Sequence, residues 1–162
     1  MKKFSVMLMV MFVVCCFAGI GMASEGTAKP DTKANKDECM LKVKEAVELI
    51  KKVGVEAAFK QINDKKGTFV WKDTYVFCMD TEDAKILAHP TYPRIIGWKM
   101  KETMDADGKK FFLEMLELAK TKGEGWVNYM HVKPGDQNPS PKSSYVMKVP
   151  DQKIIVGAGV YE

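Results

Sequence analysis

Past residue 35 the apolar positions repeat first with a helical period and then with a period of two. Met40, Val43, Val47 and Ile50 recur at steps of three and four, widened by Ala46 and Val53, with Lys42, Lys44, Glu45, Glu48 and Lys51 between them. That spacing predicts an amphipathic helix starting at Lys36. Gly54 interrupts it, and Val55, Ala58, Phe59 and Ile62 continue as a second short helix into the turn-rich segment 63–67. Over 74–80 the period becomes two: Tyr75, Phe77 and Met79 share one face, Val76 and Cys78 the other. Both faces are apolar, so this strand is expected to be covered on both sides. Residues 81–84 form a tight connection, and 85–89 is short enough to be the antiparallel partner.

A longer connection, 90–107, leads to Phe111, Phe112, Met115, Leu116 and Ala119, the expected buried face of a third helix. Asp107 is its expected N-cap, Lys120 and Lys122 lie near its C-terminus, and Gly123 can take the left-handed position that ends it. Three further strands are expected at 125–133, 143–149 and 153–161. The loop 134–142 carries three prolines and is expected outside the sheet interior. In the last strand Ile154, Val156, Ala158 and Val160 share a face, while Ile155, Gly157, Gly159 and Tyr161 share the other. Glycines there predict a close approach by a neighbour or a bulge. Helix, two strands, a connection holding a helix, then three strands describe an α+β fold with a five-stranded antiparallel sheet covered by helices.

The head of the chain sets the expected compartment. Lys2 and Lys3 precede an uncharged apolar run from Phe4 to Ile20, and small residues at Gly21 and Ala23 bracket Met22. This is the pattern of a secretory signal cleaved near Ala23, the competing reading being a retained anchor helix. Residues 1–23 are thus read as leader, 24–35 as a polar, flexible lead-in, and 36–162 as one domain.

Removing the leader takes 25 basic residues to 23 against 21 acidic ones, a net charge of +2. The signs are interspersed, with no basic stripe to follow a phosphate backbone, so nucleic acid is not an expected partner. Cys39 and Cys78 remain beyond the leader; in an oxidising compartment they could pair, or they could be two separate small core residues. Histidine occurs only at 89 and 131. No zinc-protease motif, nucleophile elbow, Cys-x-x-Cys pair or haem motif is present. Asp105 and Asp107 resemble the opening of a calcium loop, but the position needing a bidentate glutamate holds Leu116, so this is read as a turn. Catalysis, a cofactor and a metal are not expected.

An ordered set of fragments carries a family resemblance: Ala57-Ala58-Phe59 with Ile62-Asn63-Asp64, Tyr75-Val76-Phe77, Ala88-His89-Pro90, Asp107-Gly108-Lys109 with Phe112, Gly125-Trp126-Val127 with Tyr129, Pro141-Lys142 with Tyr145-Val146, and Gly157 through Tyr161. From about Ala46 to Tyr161 the chain resembles the single Cache domains, the short extracytoplasmic type found alone or in front of chemoreceptors and histidine kinases. The resemblance implies a PAS-like antiparallel sheet with a long N-terminal helix on one face and, on the other, a pocket beneath the segment joining the second and third strands. It also implies a small organic ligand such as a carboxylate or amino acid, and a membrane receptor or kinase as signalling partner. The chain itself could act as monomer or homodimer. The alternative is a module of the same fold that has lost its ligand and acts through protein contacts.

A carboxylate in an apolar cavity needs a cation or donors beside it. The candidates on the lid and facing strands are His89, Tyr92, Arg94, Trp126, Tyr129 and Tyr145. Arg94 is the only arginine in the chain and so the one bidentate fork available to an anion. Trp126 and Tyr129 are three apart on a strand and are expected on opposite faces, so that one of them lines the pocket. Two positions depart from the family pattern: Met147 stands where a basic residue is common, and His131 where an aromatic ring is common. The first departure leaves charge pairing to Arg94 and Lys148, or favours a less anionic ligand.

Overall fold

The structure, a computed structural model, describes residues 32–162. The expected leader and most of the lead-in lie outside the described residues. Among the described residues no helix is long and apolar enough to cross a membrane.

Helix α1 (Lys36–Val53) opens with a capping box: Asn35 Oδ1 accepts the Glu38 amide at 2.9 Å, and Glu38 Oε2 accepts the Asn35 amide at 3.2 Å. Its buried stripe is Cys39, Val43, Ala46, Val47 and Ile50. Cys39 takes the innermost place expected for Met40, and Val53 is exposed. Gly54, at φ +83°, ends α1 in a conformation costly for other residues and starts α2 (Val55–Ile62).

The sheet comprises β1 (Val70–Trp71), β2 (Thr74–Asp80), β3 (Ile86–Ala88), β4 (Glu124–Val132), β5 (Pro139–Lys148) and β6 (Ile154–Tyr161). All pairings are antiparallel, in the order β1-β2-β6-β5-β4, with β3 beside β1 along the same edge of β2. This is the PAS-like arrangement with one strand more than the five expected. The extra strand, β1, is two residues long and too short to show a period.

Residues of β2 and β6 alternate between two cores as their pattern requires. Val76, Cys78, Val156 and Ala158 pack with α1 on one face; Tyr75, Phe77, Met79 and Ile155 pack with helix α3 (Phe111–Thr121) on the other. The glycines of β6 reflect close approach rather than a bulge, since the β5–β6 register is unbroken. A Cβ on Gly157 would lie 2.5 Å from the Phe77 ring, and one on Gly159 would lie 2.6 Å from the Ser143 carbonyl oxygen.

Two expectations are corrected. Strand β5 begins at Pro139, inside the proline-rich segment assigned to a loop. The Pro141 carbonyl accepts the Glu162 amide at 3.0 Å, so the proline nitrogen also faces the side where β6 has run out and no donor is needed there. Helix α3 starts at Phe111 without a side-chain cap, and Asp107 does not serve as one. Asp105 organises this turn instead, its Oδ1 accepting the amides of Asp107 (3.0 Å) and Lys109 (2.8 Å). Gly123, at φ +82°, follows the helix as expected.

The segment between β3 and α3 forms a lid tied to both edges of the sheet. At one end Ile86 and Gly97 exchange backbone bonds with the lid and β3, and Met100 N–H donates to Ala84. At the other, Asp105 Oδ2 accepts the Met130 amide of β4 at 2.9 Å.

Candidate functional site

Between the lid, α3 and the sheet lies an open-mouthed cavity of about 510 Å³, whose lining includes His89, Tyr92, Met100, Met104, Met130 and His131. Behind it sits a hollow of about 20 Å³ lined by Tyr75, His89, Phe111, Tyr129, His131 and Lys142, among others. That volume admits about one water-sized group. The two spaces share His89, Phe111, Phe112 and His131.

Lys142 is the chemical centre of the hollow. It lies on β5, only 2 % exposed, and its Nζ donates to the Tyr161 hydroxyl at 3.0 Å. The same Nζ stands 4.6 Å from the Tyr75 ring centre and 4.4 Å from that of Tyr161. Among the described residues no carboxylate lies within ion-pair distance. Asp73 acts on it only as a remote charge and is itself paired with Lys133 at 2.8 Å. Burial brings the Lys142 pKa down to about 7, against the smaller upward pull of Cys39 and Asp73.

The polar groups around it are fixed by their own bonds. The Tyr92 amide donates to His89 Nδ1 at 3.1 Å, which places the proton of the neutral ring on Nε2 as a donor. Burial first, then the charges of Lys142 and His131, lower the His89 pKa to about 3. His131 is the opposite tautomer: its Nδ1 lies 2.9 Å from the Val132 carbonyl and must donate, leaving Nε2 as acceptor. Burial, then Lys142, lowers its pKa to about 4. Tyr129 bonds Ser144 Oγ at 2.9 Å and stacks on Phe111 with ring centres 4.2 Å apart. Burial raises the Tyr75 phenol to about 12 and pushes those of Tyr129 and Tyr161 higher still.

Of the six residues singled out in the sequence, the structure brings His89, Tyr92 and Tyr129 to these spaces. It does not bring the other three. Arg94 is exposed on the short 3-10 turn Pro93–Ile95, whose neighbours Tyr92 and Ile95 take the inward positions. Trp126 and Tyr145 are cross-strand partners on the opposite, α1-facing side, their rings 5.5 Å apart and Trp126 capped by Lys36 Nζ at 5.4 Å. Met147 packs on that side too, so its departure from the family pattern does not touch the cavity. Cys39 and Cys78 are free, buried thiols in the α1 core rather than a bonded pair.

Sequence reasoning passed over Lys142, Tyr75, Tyr161 and the three methionines. The β4–β5 register pairs Tyr129 with Lys142 and Trp126 with Tyr145. With Tyr129 on the lid side, Lys142 has to be there as well.

Known proteins agree with this architecture. A family described as the Cache domain matches residues 55–162. The methyl-accepting chemotaxis protein McpP of Pseudomonas putida is 36% identical over 77 residues, 48% of this chain; the match spans only 14% of that protein's length. A solved Cache chemosensory domain, described with its recognition of carboxylic acid, is 30% identical at a TM-score of 0.67, covering 77% of this chain and 91% of that one. A methyl-accepting chemotaxis protein from Vibrio parahaemolyticus shares the fold at 19% identity and a TM-score of 0.66, over 78% of this chain and 87% of its own. On the strength of its α1–sheet–lid architecture and the match over most of its length, this chain belongs to the Cache domain family of ligand-binding sensor domains.

Proposed function

We propose that the chain is an extracytoplasmic sensor domain that reversibly binds a small carboxylate and passes its state to a membrane receptor or kinase. The observation carrying this reading is Lys142, a buried amine facing a hollow that no carboxylate of the described residues lines. An isolated buried charge is costly, and an incoming carboxylate would relieve the cost through a charge-assisted bond. The Nε2–H of His89 adds a neutral donor, and the tyrosine hydroxyls allow the charge to spread over several bonds. Carboxylic acid recognition by a similar Cache domain supports the assignment. Export is supported by the leader pattern of residues 1–23.

The narrowness of the inner hollow favours a second reading, a ligand-free interaction module. Calorimetry with organic acids, on wild-type protein and Lys142→Met, separates the two. Sensing predicts that at least one acid binds the wild type and that the variant binds it at least tenfold more weakly. Failure of every acid, together with no small molecule retained in mass spectra of gently purified protein, selects the interaction module.

A further inference from the structure

Lys142 is placed as a nucleophile as well as a cation. It is buried, its Nζ donates to the Tyr161 hydroxyl at 3.0 Å, and no carboxylate of the described residues lines the hollow beside it. Behind it, Cys39 of α1 and Asp73 of the β1–β2 turn act only as distant groups. An amine held without a counter-ion gives up its proton more readily than an exposed lysine and keeps a lone pair for attack. The hollow in front of it, about 20 Å³, has room for one small group.

The approaches to this amine favour a small, uncharged reagent. A groove of about 300 Å³ at the β4–β5 end borders Lys142 and is rimmed by Asp105, Asp107 and Glu162, while Lys109 on the same rim is paired with Glu114 at 2.7 Å. Those acids oppose an anion but not a neutral molecule. On the lid side the 510 Å³ cavity meets the hollow at His89, Phe111, Phe112 and His131. Carbon dioxide is neutral, reacts with unprotonated amines and carries no substituent to be housed. We infer that Lys142 Nζ is a site of reversible carbamate formation with carbon dioxide. The Nζ lone pair forms an N–C bond, one C–O π pair moves onto oxygen, and an Nζ proton leaves to water. The products are a carbamate anion and a hydronium ion, with no change of oxidation state. Donors are at hand for the new charge in His89 Nε2–H and the Tyr161 hydroxyl. The positive charge of Lys142 is one cause holding His89 and His131 neutral; replaced by an anion, its influence changes sign and both rings become better partners. This inference does not rest on the carboxylate reading, since carbon dioxide reacts with the amine whether or not an acid binds there.

The test is carbon-13 NMR of the full chain under carbon-13-labelled carbon dioxide at pH 8, with the adduct fixed by an alkylating agent and located by peptide mass spectrometry. Wild-type protein is expected to carry an adduct on the peptide holding Lys142, besides one on the terminal α-amine, whose ordinary pKa of about 8 also leaves part of it neutral. The exposed lysines, protonated at that pH, are expected to carry at least about tenfold less. Lys142→Met is expected to lose the first signal and keep the second. An adduct confined to the terminal amine, or spread evenly over the lysines, would overturn the inference, and the peptide map decides this on the wild type alone should the variant fail to fold. Acids that bind in calorimetry while Lys142 takes no adduct would overturn this inference and leave the carboxylate reading standing. An adduct on Lys142 in a protein that binds no acid would sustain the inference and remove that reading.

Discussion

Replacing Lys142 by methionine should make the ligand-free protein more stable at neutral pH, although it removes a residue at the centre of the site. The lysine is 2 % exposed and its pKa falls from 10.5 to about 7. At about 1.4 kcal/mol per unit, keeping the ammonium in the folded state costs on the order of 4 to 5 kcal/mol. Losing the bond to Tyr161 returns about 1 kcal/mol, for a net gain of about 3 to 4 kcal/mol in the variant. The sign follows from proton binding. Below pH 7 folded and unfolded chains both carry the proton, and the wild type bears the full cost. Between pH 7 and 10.5 only the unfolded chain keeps it, so wild-type stability climbs with pH and the advantage of the variant shrinks. Urea unfolding of both proteins at pH 6 and pH 9.5 reads this directly. A variant less stable than wild type at pH 6 would refute the reasoning, because the ammonium would then be well compensated within the protein.

Other substitutions separate the two sheet faces. Arg94→Ala and Tyr145→Phe, at an exposed turn and on the α1 side, are expected to leave carboxylate affinity within about twofold by calorimetry, since neither contacts the cavity. Gly159→Ala forces a methyl group towards the Ser143 carbonyl and the Ser144 side chain, which also holds Tyr129. A loss of about 1 to 3 kcal/mol in denaturant unfolding is expected. Burial raises the thiol pKa of Cys39 to about 12 and that of Cys78 further, so neither should react with a thiol reagent at pH 8 in the folded protein. In protein lacking the leader, both should titrate on denaturation without reductant; recovery of none would show a disulfide.

Where one face of an element met solvent or a single core, the chain could be read directly. The five buried positions of α3 are those its period predicts; Thr74–Asp80, though covered on both faces, was also legible because its alternation is unbroken and both of its faces are apolar. The site was harder because β4, β5 and β6 carry apolar or aromatic residues towards both cores. Alternation then tells which residues share a face but not which face meets α1 and which the lid. Tyr145 and Trp126 are as apolar and aromatic as Tyr129, and only register separates them. Lys142 was obscured by the two prolines before it, which suggest a loop unless their nitrogens are known to face an open edge. Arg94 was attractive as the lone arginine, yet unpaired charge count says nothing about which way a turn points its side chains.

The central claim is that Lys142 has no counter-ion among the described residues and takes one from the ligand. It is tested most directly by titrating a bound carboxylate calorimetrically at pH 8 in buffers of different ionisation enthalpy. With burial lowering the free-state pKa to about 7, the neutral amine predominates at that pH, so binding should draw protons from the buffer, up to one per ligand bound. Affinity should also fall about tenfold per pH unit above 7. Binding with no proton uptake at pH 8 would contradict the account.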